Sequence, residues 1–190
     1  MKHAPWCILP IAAVLAGCAS NPDQSIYVMP TPTSINPGLR ATAGGLALKL
    51  RPVILPDYLD TTDLVTRTGQ HDIAASRTGR WGERLSKGVT RSMAADLCHR
   101  LHAYVVSDGP AVQIEVIISA FDVTRARSVL AASWTVVWPG TGRLPVIGHG
   151  QFTSSIPQPG GDLAVVGAMA ETVAELSAAI ATTAQADGRG

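Results

Sequence analysis

Cys18 is the residue whose surroundings most directly specify a reaction. It follows Leu15-Ala16-Gly17 at the end of an apolar run over residues 4–15, which opens after Lys2 and His3. A positive start stays at the cytoplasmic face, a short apolar helix engages the translocon, and small residues fit a peptidase site. A thiol placed directly after Leu-Ala-Gly adds a nucleophile that can be acylated before cleavage. These residues read as a bacterial lipobox, with 1–17 as the lipoprotein signal peptide and Cys18 as the lipidated, palmitate-bearing N-terminus. The apolar run is about twelve residues long, whereas a bilayer span needs ~20. Several acyl chains, at ~0.8 kcal/mol per buried CH₂, make such an anchor effectively permanent. Ala19 and Ser20 follow without the Asp that holds many lipoproteins at the inner membrane, so the outer membrane is expected, facing the periplasm. No later stretch reads as long and apolar enough to span.

Other reactive residue types are scattered. Cys98 and His102 would share a helix face at i+4, with His99 beside them, as half of a zinc site. The other half is missing, and Cys98 lies between the apolar positions Leu97 and Leu101, where an inert buried thiol is expected. There is no G-x-S-x-G, no H-E-x-x-H and no Walker pattern, and Gly140-Thr141-Gly142 and Gly148-His149-Gly150 are turn-like. A hydrolase would need distant residues such as His71, His149 and Asp122 to converge in one pocket. The expectation is no catalysis, no cofactor and no metal.

Two constellations suit binding. Arg80, Arg84, Lys87 and Arg91 step by four, three and four, a basic ridge for lipid headgroups or an acidic partner, or else a solvated helix face. Glu83 would weaken that field through an i+4 pair with Lys87. Leu55-Pro56-Asp57-Tyr58-Leu59-Asp60, followed by Leu64-Val65-Thr66-Arg67, places an aromatic and charges just past a strand end. Asp57, Tyr58, Asp60 and Arg67 are therefore candidates for an interaction loop. The alternative is a turn in which Asp57 or Asp60 caps a short helical segment and Tyr58 covers the core edge.

The elements that must position these residues follow from composition and periodicity. With 190 residues, 46% of them apolar and 15% charged, the chain suits one compact domain and not a disordered tail. Cleavage before Cys18 takes off 17 residues and one lysine, leaving 14 basic and 14 acidic side chains. A neutral domain with 5% aromatic residues offers neither the basic field nor the stacking platform of a nucleic-acid binder. Three cysteines make no disulfide framework.

Residues 18–45 are rich in Pro, Thr, Ser and Gly and read as a flexible tether with one short strand at 25–29. Alternation at Leu46, Leu48 and Leu50 leads into an apolar stretch at 53–55, a strand with one buried face, and weaker strands follow at 64–66 and 72–75. Residues 80–101 carry Leu85, Val89, Met93, Leu97 and Leu101 at i+4 spacing and predict a helix. Strands are predicted at 104–107, 112–121, 129–138 and 146–155, the last three antiparallel, with Val112, Ile114, Val116 and Ile118 on one face. Asp162 opens a last helix through Ile180, and 187–190 is an expected frayed tail. The predicted architecture is an α/β domain over 46–186, a mixed sheet with two main helices packed on it.

With these residues in view, the chain resembles the ABC-type transport auxiliary lipoproteins of the paraquat-inducible protein C type. The resemblance is carried by the lipobox Cys18, the Leu55–Asp60 loop, the Leu64–Arg67 segment and Arg80-Trp81-Gly82-Glu83-Arg84-Leu85. It implies a non-catalytic subunit tethered to the outer membrane. Its partners would be a mammalian-cell-entry (MCE) domain protein and the permease and ATPase of a lipid-transport system, and it could form a homo-oligomeric ring around a conduit. A structural envelope lipoprotein that scaffolds another periplasmic assembly is the alternative function.

Overall fold

The structure is a computed structural model that describes residues 23–31 and 45–186. Residues 1–22, with the expected signal peptide and Cys18, residues 32–44 of the expected tether and the expected tail at 187–190 lie outside the described residues. In chain order the elements are β1 (Ser25–Tyr27), β2 (Leu46–Leu50), β3 (Asp63–Arg67), β4 (Ile73–Trp81), α1 (Leu85–Leu101), β5 (Ala103–Val105), β6 (Val112–Val123), β7 (Arg127–Val137), β8 (Val146–Ser155) and α2 (Asp162–Ala186). The α/β class and the two helices packed on mixed sheets match the expectation. The strands divide into a five-stranded sheet, ordered β5-β2-β6-β7-β8, and a three-stranded sheet, ordered β1-β4-β3.

Alternation builds the larger sheet. Along β6, Val112, Ile114, Val116 and Ile118 are buried and the residues between them are more exposed. The phase then changes. Ile118 pairs with Ala132 but Ala120 pairs with Ala131, so Ser119 is a bulge residue, and beyond it Phe121 and Val123 point inward. β7 answers with buried Leu130, Ala132, Trp134 and Val136. On β8 the matching positions include Gly148, where a β-carbon would fall inside the Trp134 indole ring. The glycine lets the large ring lie flat on the sheet beneath α2, where its Nε1 donates to Thr183 at 3.1 Å.

The helices cover this apolar face. α1 buries Leu85, Val89, Met93 and Leu97, and α2 buries Val166, Met169, Val173, Leu176 and Ile180. By length and composition α2 is long and apolar enough to cross a membrane, which corrects the expectation that no later stretch is. Its apolar face is spent on β7, β8 and α1, as in a core helix.

Two boundaries move. The helix expected from residue 80 begins at Leu85, because Arg80 and Trp81 belong to the end of β4, paired with Ile26 and Tyr27 of β1. Gly82 follows against Ile26 and Val28, and Arg84 is still extended at ψ 141°. Trp81, four residues before Leu85, extends the apolar i+4 spacing backwards although it is buried in a strand ladder. The apolar stretch at 53–55 is no regular strand. Ile54 makes a single parallel bridge to Ile117, and Pro52 and Pro56, which lack an N–H, interrupt the pairing on either side.

The segment 25–30, inside the stretch read as tether, is part of the fold. β1 runs parallel to β4, and Met29 is buried against Gly88 of α1, where a β-carbon would crowd it. Arg91 donates to the Met29 carbonyl at 3.1 Å and the Ser92 hydroxyl to the Pro30 carbonyl.

Candidate docking site

The loop at 56–60 is shaped by its own turn and by two leucines. The amides of Leu59 and Asp60 both donate to the Pro56 carbonyl, and Leu55 and Leu59 enter the core. Asp57 and Tyr58 are thereby left on the outside, with Tyr58 44% exposed. Asp60 turns the other way. No side chain at Arg84 caps α1, and the Asp60 carboxylate does so from across the fold, accepting the Ser86 N–H at 3.1 Å, while the Leu85 N–H donates to the Thr61 carbonyl. Burial pushes the Asp60 carboxyl up, but hydrogen bonding by Ser86 and the charges of Arg84 and Lys87 outweigh it and hold the group below the usual carboxylate range. Asp60 thus caps the 17-residue helix α1 and not a short segment of its own loop, and Tyr58 stays exposed where the capping alternative has it cover the core edge.

Arg67 also faces the protein. Its guanidinium grips one oxygen of Asp122, with Nε at 2.9 Å, and its Nη1 donates to the Gln70 carbonyl at 3.1 Å. The hydrogen bond and charge of Asp122 push the guanidinium further up, against a smaller effect of burial, with a contribution from Tyr58. The pair staples β3 to β6. Asp122 was weighed only as a hydrolase residue, yet the sequence held a signal for its place. The phase of Val112 to Ile118 would point Asp122 into the core, and the switch to Phe121 and Val123 turns it out.

The four loop candidates therefore split into an outward pair, Asp57 and Tyr58, and an inward pair, Asp60 and Arg67. Beside the loop, the bridged Ile54 and Ile117 are 59% and 48% exposed on the open face of the sheet. Glu115, a strand step further, pairs with Arg51 at 2.8 Å. Nothing in the strand pattern marked Ile54 and Ile117 as exposed neighbours, since their bridge joins positions 63 residues apart.

The basic ridge does not form as one helix face. Arg80 lies on β4 opposite Asp63, and Arg84 precedes the helix, 3.7 Å from Asp60. Lys87 is exposed on the first turn of α1. Arg91 binds Glu83 at 2.7 Å, so the acid expected to pair with Lys87 pairs elsewhere, because Glu83 sits before the helix.

The zinc half-site also dissolves. α1 ends at Leu101, and His102 takes the left-handed conformation at φ 49° as its C-cap, its N–H donating to the Cys98 carbonyl. Cys98 is half-buried, and burial pushes its thiol up. His71, His149 and Asp122 do not gather. Asp122 is held by Arg67, while in the register His149 lies two strands over and four residues along, about 16 Å away.

Comparisons with known proteins bear on the family and the fold. Residues 27–181 match the family model described as the ABC-type transport auxiliary lipoprotein component. Over 108 residues the chain is 27% identical to the intermembrane transport lipoprotein PqiC of Escherichia coli, covering 55% of this chain and 56% of that one. The protein of that name from Shigella flexneri matches equally. The match thus spans about half the length of these relatives. Among solved structures, one of an uncharacterised protein superposes with a TM-score of 0.70 at 19% identity, covering 85% of this chain and 98% of the other. A Xanthomonas campestris protein superposes at 0.63 with 13% identity, covering 87% and 100%. These two show a shared fold.

Proposed function

Because the chain belongs to the ABC-type transport auxiliary lipoprotein family, we propose that it is a non-catalytic periplasmic subunit of an intermembrane lipid-transport system, lipidated at Cys18 and anchored in the outer membrane. Its task is to hold a transport conduit at the membrane by docking an MCE-domain protein that works with a permease and an ATPase. The name of the Escherichia coli relative, an intermembrane transport lipoprotein, supports the transport reading. The observation that carries docking is the outward pair at the loop. Asp57 and Tyr58 are presented on a turn fixed from below by Leu55 and Leu59, with Ile54 and Ile117 alongside. A rigid aromatic beside aliphatic surface is a low-entropy anchor for an interface. A head-to-tail ring of copies around the conduit would repeat this surface once per subunit.

The test begins in cells. Metabolic labelling with a palmitate analogue should mark the wild-type chain and not Cys18→Ala, and the chain should co-purify with the MCE and permease subunits. Labelling of Cys18→Ala, or wild-type chain that co-purifies only with peptidoglycan or an unrelated assembly, contradicts the proposal and favours the scaffold function.

A further inference from the structure

Arg143, by the β7–β8 turn, stacks on Trp138 at 3.9 Å, and the other arginines of this domain fall into two groups. Arg51 just after β2, Arg67 on β3, Arg84 just before α1, and Arg91 and Arg100 on α1 make ion pairs. Arg77, Arg80, Arg125 and Arg127 are exposed, and no ion pair to them occurs among the described residues. Far apart in sequence, these four lie on segments joined at one end of the domain. Arg77 and Arg80 are on β4, where Ser76 and Thr78 donate to Asp162 at the start of α2, at 2.8 and 2.7 Å. Gln158, just before that helix, donates to the Arg125 carbonyl, and Ile156 N–H donates to the Ala126 carbonyl at 2.8 Å. The acids at this end are Asp23, Asp63 opposite Arg80, Asp122, which is held by Arg67, and Asp162, whose carboxylate is occupied by hydroxyls.

The chain enters the fold at this same end, since Ser25 pairs with Gly79 between Arg77 and Arg80. Cys18 is five residues before Asp23, so whatever path the chain takes, the anchor lies at most about 18 Å from Asp23. The opposite end, at the β7–β8 turn, is about 30 Å away along β8. A short leash therefore holds the arginine end near the bilayer, where a negative surface potential attracts each cation.

We propose that this end, carrying Arg77, Arg80, Arg125 and Arg127, rests on the anionic headgroups of the membrane that holds the anchor, which points the β7–β8 turn away from it. The inference rests on lipidation at Cys18. It replaces the helical ridge with a set drawn from two strands and a hairpin, in which only Arg80 is common to both.

The experiment uses the mature lipidated chain with Cys98→Ser and a fluorophore at either Ala126→Cys or Leu144→Cys, both exposed positions. The chain is placed on phosphatidylcholine vesicles with or without phosphatidylglycerol, each containing a headgroup-nitroxide quencher. On anionic vesicles quenching should be strong at 126 and weak at 144. Replacing the four arginines by glutamine should narrow the difference to what the leash alone imposes, as on pure phosphatidylcholine vesicles, each arginine shifting the docked-to-undocked ratio on the order of fivefold. Raising the salt to 1 M, where the screening length is ~3 Å, should do the same without any substitution. Equal quenching at both sites on anionic vesicles, or a difference that high salt leaves unchanged, overturns the docking. A chain that washes off the vesicles overturns the lipidation reading beneath it.

Discussion

The half of the domain from Val112 onward and the segments between β1 and the start of α1 share one core, but different forces hold them. β6, β7, β8 and α2 are joined by long ladders and by fully buried side chains such as Ile114, Ile118, Leu130, Leu176 and Ile180. The earlier segments bury fewer side chains, among them Met29, Leu48, Leu64 and Trp81, and single polar side chains tie them in addition. Asp60 caps α1, Arg67 grips Asp122, and Arg91 and Ser92 hold the carbonyls of Met29 and Pro30. Thr90 adds a further tie, accepting the Val53 N–H at 2.9 Å and donating to the Ser86 carbonyl at 2.7 Å. Apolar area scales with free energy, so the first region carries stability. Isolated hydrogen bonds contribute less but are directional, so the second region carries position. The outward loop belongs to the second.

The largest effects should come from the apolar half and its helix contacts. Leu97→Ala empties a fully buried site on α1 and should cost roughly 2–5 kcal/mol in denaturant unfolding. Gly148→Val should be at least as severe, since the new side chain must displace the Trp134 ring, and loss of the near-ultraviolet tryptophan signal would report it. A native melt for either variant would mean that the sheet–helix core is not where stability lies.

Asp60→Asn should be milder, about 0.3–1 kcal/mol, because the amide keeps an acceptor for Ser86 but loses the negative charge at the N-terminus of α1. Its pH signature distinguishes it. The folded carboxyl is held below its unfolded value of about 3.9, so its contribution is present above that pH and disappears as pH falls through the lower folded value. Unfolding free energy of the wild type should therefore fall more steeply than that of Asp60→Asn below about pH 4. Parallel acid limbs would show that Asp60 does not hold α1.

Arg67→Ala should lower the melting temperature less than Leu97→Ala and should raise amide exchange in β3 selectively, because the staple to β6 is lost. Uniform exchange across both sheets would make the two regions one cooperative unit and erase the contrast. The smallest effect on stability belongs to Tyr58→Ala, within about 0.5 kcal/mol of wild type.

The same division decides what could be read from the sequence. The span of β8 is visible in its residues, and the cores of β6 and β7 are visible in their alternation, because the partners are neighbours in sequence and burial follows a period of two. At 80–85 the reading fails, since Trp81 is buried by a strand, and β1, 54 residues earlier, supplies that ladder. The loop residues were legible as a cluster but not by direction. Asp60 and Arg67 are pulled inward by Ser86 and Asp122, partners that no local spacing announces, and Tyr58 is left out because Leu55 and Leu59 take the core positions.

The central claim, that the loop fixed by Asp60 and Leu59 presents Tyr58 to a transport partner, is tested most directly by a photo-crosslinking amino acid at position 58 in intact cells. The account predicts a crosslink to an MCE-domain protein or to a neighbouring copy of this lipoprotein, absent when the same probe stands at exposed Leu163 at the start of α2. A folded, membrane-bound chain that crosslinks equally from both positions, or from neither, would contradict it.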